Sequence, residues 1–308
     1  MLLHSIALQE AKMSSEIENV MTTNDELYQA LAADKIVTDP STKEVLHYQS
    51  ALWEGFSLVK EKGFLSTNLF IRLYNIIKKT EAGVRTITGT KISNHSTSEI
   101  IYTPPEGQTV INVKLKNLED FINNPDDDID PLIKMAIMHY QFEAIHPFSD
   151  GNGRTGRILN ILYLVNQDLL ELPILYLSKY IIENKAAYYS GLRSVTENNK
   201  WEEWVLYMLH AVEKTALYTQ QKIDGIVKLM YDTEIRMKAE APDIYSKDLL
   251  DIIFRMPYSK RKSLEGLVSL KTAGQYLNKL VEKQFLIDVK VGKEKLYINM
   301  PLFNLLKS

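Results

Sequence analysis

His146-Pro147-Phe148-Ser149-Asp150-Gly151-Asn152-Gly153-Arg154-Thr155-Gly156-Arg157 gathers a titratable base, a carboxylate, three glycines and two arginines into one short span. Glycine lets a chain turn tightly and brings no side chain to block an approaching anion. The apolar run that follows, Ile158 to Val165, reads as a helix, so the turn stands at a helix N-terminus. Unpaired N–H groups and the positive end of the helix dipole suit a phosphate there. Arg154 and Arg157 lie three residues apart and can meet further phosphate oxygens on one side. Asp150 is suited to a magnesium ion beside those phosphates, and His146 to general base work near neutral pH. A His-Pro step alone reads as a cap, and a Gly-Asn-Gly triplet alone as a turn. The whole span points instead to transfer of a phosphate-containing group. The Gly-x-x-x-x-Gly-Lys-Ser/Thr pattern of a P-loop is absent from it.

The chain around this span has 308 residues, enough for two domains. Its composition is that of a soluble globular protein, and a formal charge of −3 carries no global nucleic-acid signature. There is no cysteine, which excludes disulfide and thiol chemistry and fits the cytoplasm. No apolar run is long enough for a membrane span, and Met1-Leu2-Leu3-His4 does not open a signal peptide.

The span resembles the signature of the Fic family, His-Pro-Phe-x-Asp/Glu-Gly-Asn-Gly-Arg-x-x-Arg, at every fixed position. The resemblance implies adenylylation: AMP moves from ATP to a Ser, Thr or Tyr hydroxyl of a target protein, or of the chain itself. His146 would take the hydroxyl proton and Asp150 would bind Mg²⁺. Gly151, Asn152, Gly153 and Arg154 would cradle the phosphates, with Thr155 and Gly156 counted among the nucleotide-binding residues. Arg157 would reach the terminal phosphate, and Phe148 would anchor the loop. The phosphate-transferring branch of the family carries lysine where Gly153 stands, so nucleotidyl transfer is favoured.

Leu8 to Val20 reads as a helix holding Ser14-Ser15-Glu16-Ile17-Glu18-Asn19. Alone, this is a solvated polar face. It is also similar to the family's inhibitory motif, Ser/Thr-x-x-x-Glu-Gly/Asn, with Ser14, Glu18 and Asn19 at the fixed positions. The resemblance implies that Glu18 pairs with Arg157 and takes the place of the ATP γ-phosphate.

Residues 27–80 read as three helices punctuated by Asp39-Pro40 and Gly63. Residues 83–107 change character, and Glu99-Ile100-Ile101-Tyr102-Thr103-Pro104-Pro105 is a short β-like run stopped by prolines. The plain reading is a surface hairpin. Together with Gly83-Val84-Arg85, it is similar to the family's flap, an exposed strand edge on which Glu99, Ile100, Ile101 and Tyr102 would dock the target. Asp126, Asp127, Asp128 and Asp130 invite a calcium loop but lack its glycine and distant glutamate, so Asp130 reads as the cap of a helix with Pro131 first. His139 and Glu143 read as structural, hydrogen-bonded helix residues. Tyr188-Tyr189-Ser190-Gly191-Leu192 is similar to the run lining the family's adenine pocket, with Tyr189 first and Tyr188 second.

Beyond Trp201, Trp204 and Leu209 comes a long helix at Thr215–Lys238. Three helices and a hairpin then resemble a winged helix. Lys271, Lys279, Lys290 and Lys293 can meet phosphates there, but no arginine lies on the third helix, so packing or protein contact is expected in preference to DNA. The expected fold is mainly α: a Fic helical core with a small β-hairpin flap, plus a C-terminal winged-helix domain. The expected segments are 1–40, N-terminal with the inhibitory motif; 41–215, core; 216–240, linking helix; and 241–308, winged helix. The family also allows a homodimer. A de-AMPylating or bifunctional Fic enzyme and a nucleotide-sensing DNA-binding regulator stay open as alternatives.

Overall fold

The computed structural model describes residues 3–32, 39–93, 100–292 and 294–307. Helices α1 (Leu3–Ile17), α2 (Asn24–Ala32), α3 (Pro40–Lys62) and α4 (Thr67–Lys78) precede the strands β1 (Ile92–Ser93) and β2 (Ile100–Tyr102). Helices α5 (Gln108–Asn123), α6 (Pro131–Ile145), α7 (Asn152–Asn166), α8 (Leu177–Glu183), α9 (Lys185–Asn198) and α10 (Trp201–Glu240) follow. The remainder is α11 (Lys247–Arg255), β3 (Tyr258–Ser259), a 3-10 turn (Arg261–Leu264), α12 (Leu270–Glu282), β4 (Ile287–Val291), β5 (Glu294–Ile298) and α13 (Met300–Lys307).

One compact unit holds residues 10–20 and 44–216. Its centre is α7, buried at every residue from Ile158 to Val165, which is why that stretch, Asn160 apart, is apolar on all sides rather than amphipathic. Helix α6 packs on α7 and α5, and α4 packs on α7 and α5. Helix α3 comes so near α7 that a Cβ at Gly55 would stand 2.6 Å from Leu162 Cδ1. The aspartates before α6 form a helix entry, as expected. Asp130 accepts from the Leu132 amide at 2.8 Å with Pro131 at the first position, while Asp127 pairs with Lys134 at 2.6 Å. Helix α5 was not anticipated, although Ile111, Leu115, Leu118 and Ile122 repeat at helical spacing and are all buried.

The other unit holds described residues within 1–9, 21–43 and 217–308. Tyr28 of α2 stacks on Tyr258 at 6.0 Å and meets Phe303 edge-on at 5.9 Å, and the Tyr258 hydroxyl donates to Asp25. These aromatic contacts draw the N-terminal segment into the C-terminal module. The compact units therefore divide the chain differently from the four consecutive segments read from sequence. Helices α1 and α10 each run through both units. Helix α10 also joins two stretches expected to be separate helices, because residues 209–215 contain no glycine or proline to stop it.

The C-terminal module has α11, α12 and the β4–β5 hairpin where three helices and a hairpin were expected. The middle helix is a single 3-10 turn, and β3 adds a third strand in the antiparallel order β3-β5-β4. Ser246 and Ser269 cap α11 and α12 by accepting from the amides of Leu249 and Thr272. Lys279 is held by Asp243 at 2.6 and 2.5 Å, Lys271 and Lys290 are exposed, and Lys293 lies outside the described residues. Among the described residues no helix is long and apolar enough to cross a membrane.

Candidate active site

Helix α6 ends by turning His146 into the left-handed region, at φ 49° and ψ 59°, with its amide bonded to the Phe142 carbonyl at 3.0 Å. Pro147 then prevents further helix. The loop is fixed at two points. Phe148 is buried and stacks on Tyr74 with ring centroids 4.2 Å apart, which makes it the expected anchor. The Asn152 amide binds both the N–H and the carbonyl of Phe148, each at 2.8 Å. The Asn152 side chain is thus a brace for the loop, and what it can offer a ligand is its backbone N–H.

Gly151 caps α7 at φ 73°, a conformation that costs a glycine little. The first helical bond runs from the Thr155 amide to the Gly151 carbonyl at 3.0 Å. The N–H groups of Asn152, Gly153 and Arg154 precede it and are the donors of the helix end. Thr155 and Gly156 are engaged within the frame of the helices. The Thr155 hydroxyl is buried on the Gly151 carbonyl at 2.9 Å, and a Cβ at Gly156 would stand 2.6 Å from Glu143 Oε1. Gly156 lets α7 pack closely on α6, and the Thr155 hydroxyl closes the first turn of α7.

Arg157 is buried and faces α1. Its Nε donates to the Ser14 hydroxyl at 2.8 Å, and its second amino group donates to the Ser14 carbonyl and to Glu18 Oε1, each at 2.9 Å. The end of α1 explains why Glu18 is followed by asparagine. Asn19 adopts φ 62°, its amide bonds to the Glu16 carbonyl, and the Val20 amide bonds to the Ser15 carbonyl. This is a Schellman cap, whose left-handed position is filled most cheaply by glycine and next by asparagine. The cap holds Glu18 at the helix end. About two turns upstream, the buried Glu10 accepts from the Ser178 amide at 3.0 Å, and burial pushes its carboxyl up to about 8. A Cβ at Gly153 would collide with Glu18 Oε1 and stand 2.9 Å from the Arg157 guanidinium, so a larger residue there would have to displace the ends of both side chains.

Burial pushes the His146 imidazole down to about 4, and the nearby Arg85 guanidinium adds to the effect. His146 is therefore neutral at physiological pH. Its Nδ1 is buried, which leaves Nε2 as the nitrogen able to receive a proton from outside. Arg85 also clamps the loop: its Nε donates to the His146 carbonyl at 2.8 Å, its amide to the Pro147 carbonyl at 2.9 Å, and its guanidinium to the Pro105 carbonyl at 2.6 Å. That role was missed in sequence, where Arg85 figured only as part of the flap pattern. Burial works against ionisation of Asp150, but Lys78 and Arg154 outweigh it and hold the carboxyl below its ordinary value.

His139 Nε2 meets the Tyr188 hydroxyl at 2.8 Å, and burial pushes its imidazole down to about 3, so it is a neutral core residue as expected. Glu143 differs from expectation: its Oε1 is buried without a hydrogen-bond partner, and burial pushes the carboxyl up to about 7. Tyr188, committed to His139 and 2% exposed, belongs to the core, whereas Tyr189 is 45% exposed and available to a flat ring. In the flap, β1 and β2 pair antiparallel with Ile92 opposite Tyr102 and Ser93 opposite Ile100. Ile100 and Ile101 are exposed, and the Tyr102 hydroxyl donates to the Ala144 carbonyl at 2.9 Å, tying the strand to the end of α6. Glu99 lies outside the described residues.

The profile of the Fic/DOC family matches residues 64–164, its N-terminal profile matches residues 1–57, and the C-terminal domain profile described as "Protein adenylyltransferase SoFic-like" matches residues 229–302. The chain belongs to the Fic/DOC family. A probable protein adenylyltransferase of Aquifex aeolicus is 29% identical over 194 residues, 61% of this chain and 55% of that protein. The protein adenylyltransferase fic-1 of Caenorhabditis elegans is 36% identical over 92 residues, 30% of this chain and 17% of that one. The Fic chain thus spans about half of the first relative and a smaller share of the second. Among solved structures, a Fic family protein from Desulfovibrio desulfuricans superposes with a TM-score of 0.58 at 19% identity, covering 96% of this chain and 86% of that one. Fic-1 of C. elegans superposes with a TM-score of 0.54 at 22% identity, covering 68% and 62%. These superpositions establish the Fic fold.

Proposed function

We propose that this Fic chain transfers AMP from ATP to a Ser, Thr or Tyr hydroxyl of a target protein, and that Glu18 restrains the reaction by occupying Arg157. The observation that carries the reading is the α6–turn–α7 unit. It brings the neutral imidazole of His146, the carboxylate of Asp150 and the N-terminal amides of α7 into one short span at the turn between the helices. Homologues named protein adenylyltransferases support it.

The residues present fit both ATP and Mg²⁺. Asp150 offers a largely exposed, ionised oxygen donor, the kind magnesium takes when it also binds phosphates. Bound there, the metal would neutralise charge on the phosphates and on the departing pyrophosphate. The amides of Asn152, Gly153 and Arg154 would receive phosphate oxygens, and Arg157 the terminal phosphate once Glu18 leaves it. Tyr189 offers the accessible aromatic face for adenine. His146 Nε2 takes the hydroxyl proton as the hydroxyl oxygen forms its bond to the α-phosphorus. The bond from that phosphorus to the bridging oxygen breaks, and pyrophosphate leaves with the electron pair. The β2 edge beside the end of α6 would hold the target segment by backbone pairing.

The test is ATP labelled at either end. Label from the α-phosphate is expected to join protein, and label from the γ-phosphate is expected in pyrophosphate. Protein labelled from the γ-phosphate overturns the reading in favour of phosphoryl transfer. The protonation state of His146 adds a pH expectation. The base is lost only as pH falls toward its pKa of about 4, so the rate with Glu18 replaced is flat from about pH 6 to 8. An acid limb centred near the ordinary histidine value would contradict the buried, Arg85-facing base.

A further inference from the structure

Four charged side chains close on one another beside the N-terminus of α7. Lys78, the last residue of α4, places Nζ 2.7 Å from Asp150 Oδ2 and 2.7 Å from Glu44 Oε1. Arg154 pairs with the same Glu44 oxygen and lies 3.5 Å from Asp150 Oδ1. The other claim on Oδ1 is the Gly151 amide at 2.6 Å. Both oxygens of Asp150 are therefore engaged by this chain's own groups. The Lys78 stem crosses Gly151, with Cδ 3.4 Å from where a Cβ would stand, so glycine keeps this route open. Two cations and two anions leave the cluster neutral in itself.

A divalent ion on Asp150 must approach to the short distance of a metal–oxygen bond, in the space where the ammonium now lies. Two cations cannot share one carboxylate oxygen at contact distance without strong repulsion. We propose that Lys78 is the resident counter-ion of Asp150, held in reserve by Glu44, and that it sets the free Mg²⁺ concentration at which nucleotide is bound. This rests on the reading of Asp150 as the metal carboxylate. Glu44 keeps Lys78 and Arg154 paired after the metal arrives, so the ammonium leaves Asp150 without becoming unpartnered. Lys78 is a positioning residue: it touches Asp150 and neither the target nor the reacting atoms.

The test measures binding. Affinity for a non-hydrolysable ATP analogue is titrated by calorimetry across free Mg²⁺ in the full chain carrying Glu18→Gly. The same titration is run with Lys78→Met, Lys78→Arg and Asp150→Asn added, and thermal melts check folding. Lys78→Met is expected to lower the half-saturating Mg²⁺ about tenfold, the worth of one charge-assisted hydrogen bond, while affinity at saturating Mg²⁺ stays within about twofold. Lys78→Arg keeps the charge and is expected to keep the parent's midpoint. If Lys78→Met instead weakens binding at saturating Mg²⁺ with the midpoint unmoved, Lys78 is a phosphate ligand and the proposal is overturned. An unmoved midpoint with unchanged affinity also overturns it. If the parent's binding does not depend on Mg²⁺, or Asp150→Asn leaves that dependence intact, the metal reading of Asp150 itself fails, a result distinct from the other two.

Discussion

Replacing Glu18 by glycine is expected to raise the transfer of α-phosphate label from ATP to protein about a hundredfold over the wild type, the upper range for one buried charge-assisted bond. Arg157 has three hydrogen bonds to α1 and the residue that follows it, and two of them go to Ser14. The variant removes the third bond and its negative charge while leaving α1 docked through Ser14 and Glu10. The guanidinium is then left with a free donor, and the contact of Glu18 against Gly153 is gone. Glycine at the C-cap does not break the Schellman turn, because the left-handed residue is Asn19. Glu18→Gln should fall between the two, since it keeps a hydrogen-bond acceptor and loses the charge. Gel autoradiography of wild type and variants side by side reads the result. Equal labelling of Glu18→Gly and wild type, with both folded by thermal melt, would remove Glu18 from any inhibitory role.

The parts of this site that were legible in sequence are those whose chemistry depends on close spacing. His146 through Arg157 fall within one loop and one helix turn, so local geometry alone brings base, carboxylate and helix N-terminus together. Glu18 was legible only through the family's motif, because nothing in an isolated polar helix says which buried arginine it will meet. What escaped was long-range. Glu44 on α3 and Lys78 at the end of α4 lie far from Asp150 in sequence and are ordinary surface residues by composition; Lys78 meets Asp150, and Glu44 meets Lys78 and Arg154, only through the packing of the helices. Arg85 likewise gains its role from the path of the loop after α4. The side chains of Asn152, Thr155 and Tyr188, and the bare Cα of Gly156, show a second long-range effect. Residue type and spacing suited a ligand, but tertiary packing had already committed each of them to the frame that holds the loop or the core.

The companion expectation is that His146→Ala, placed in the Glu18→Gly chain, lowers label transfer by about a thousandfold, within the range that a positioned general base supplies. Calorimetric binding of the ATP analogue should stay close to the parent's, because no donor of the α7 N-terminus and neither arginine depends on the imidazole. The fold should also survive. The loop is held by Phe148, by the Asn152 amide and by Arg85 on the His146 and Pro147 backbone carbonyls, none of which needs the imidazole. The backbone supplies a second handle. His146 sits at φ 49°, where a Cβ costs about 1 kcal/mol, so His146→Gly should be more stable than His146→Ala by roughly that amount while being equally inactive. If activity instead followed stability across the two variants, the residue would be acting through the geometry of the turn. If His146→Ala kept transfer within about tenfold of its parent, less than the range of general base catalysis, the hydroxyl proton would have to leave by another route.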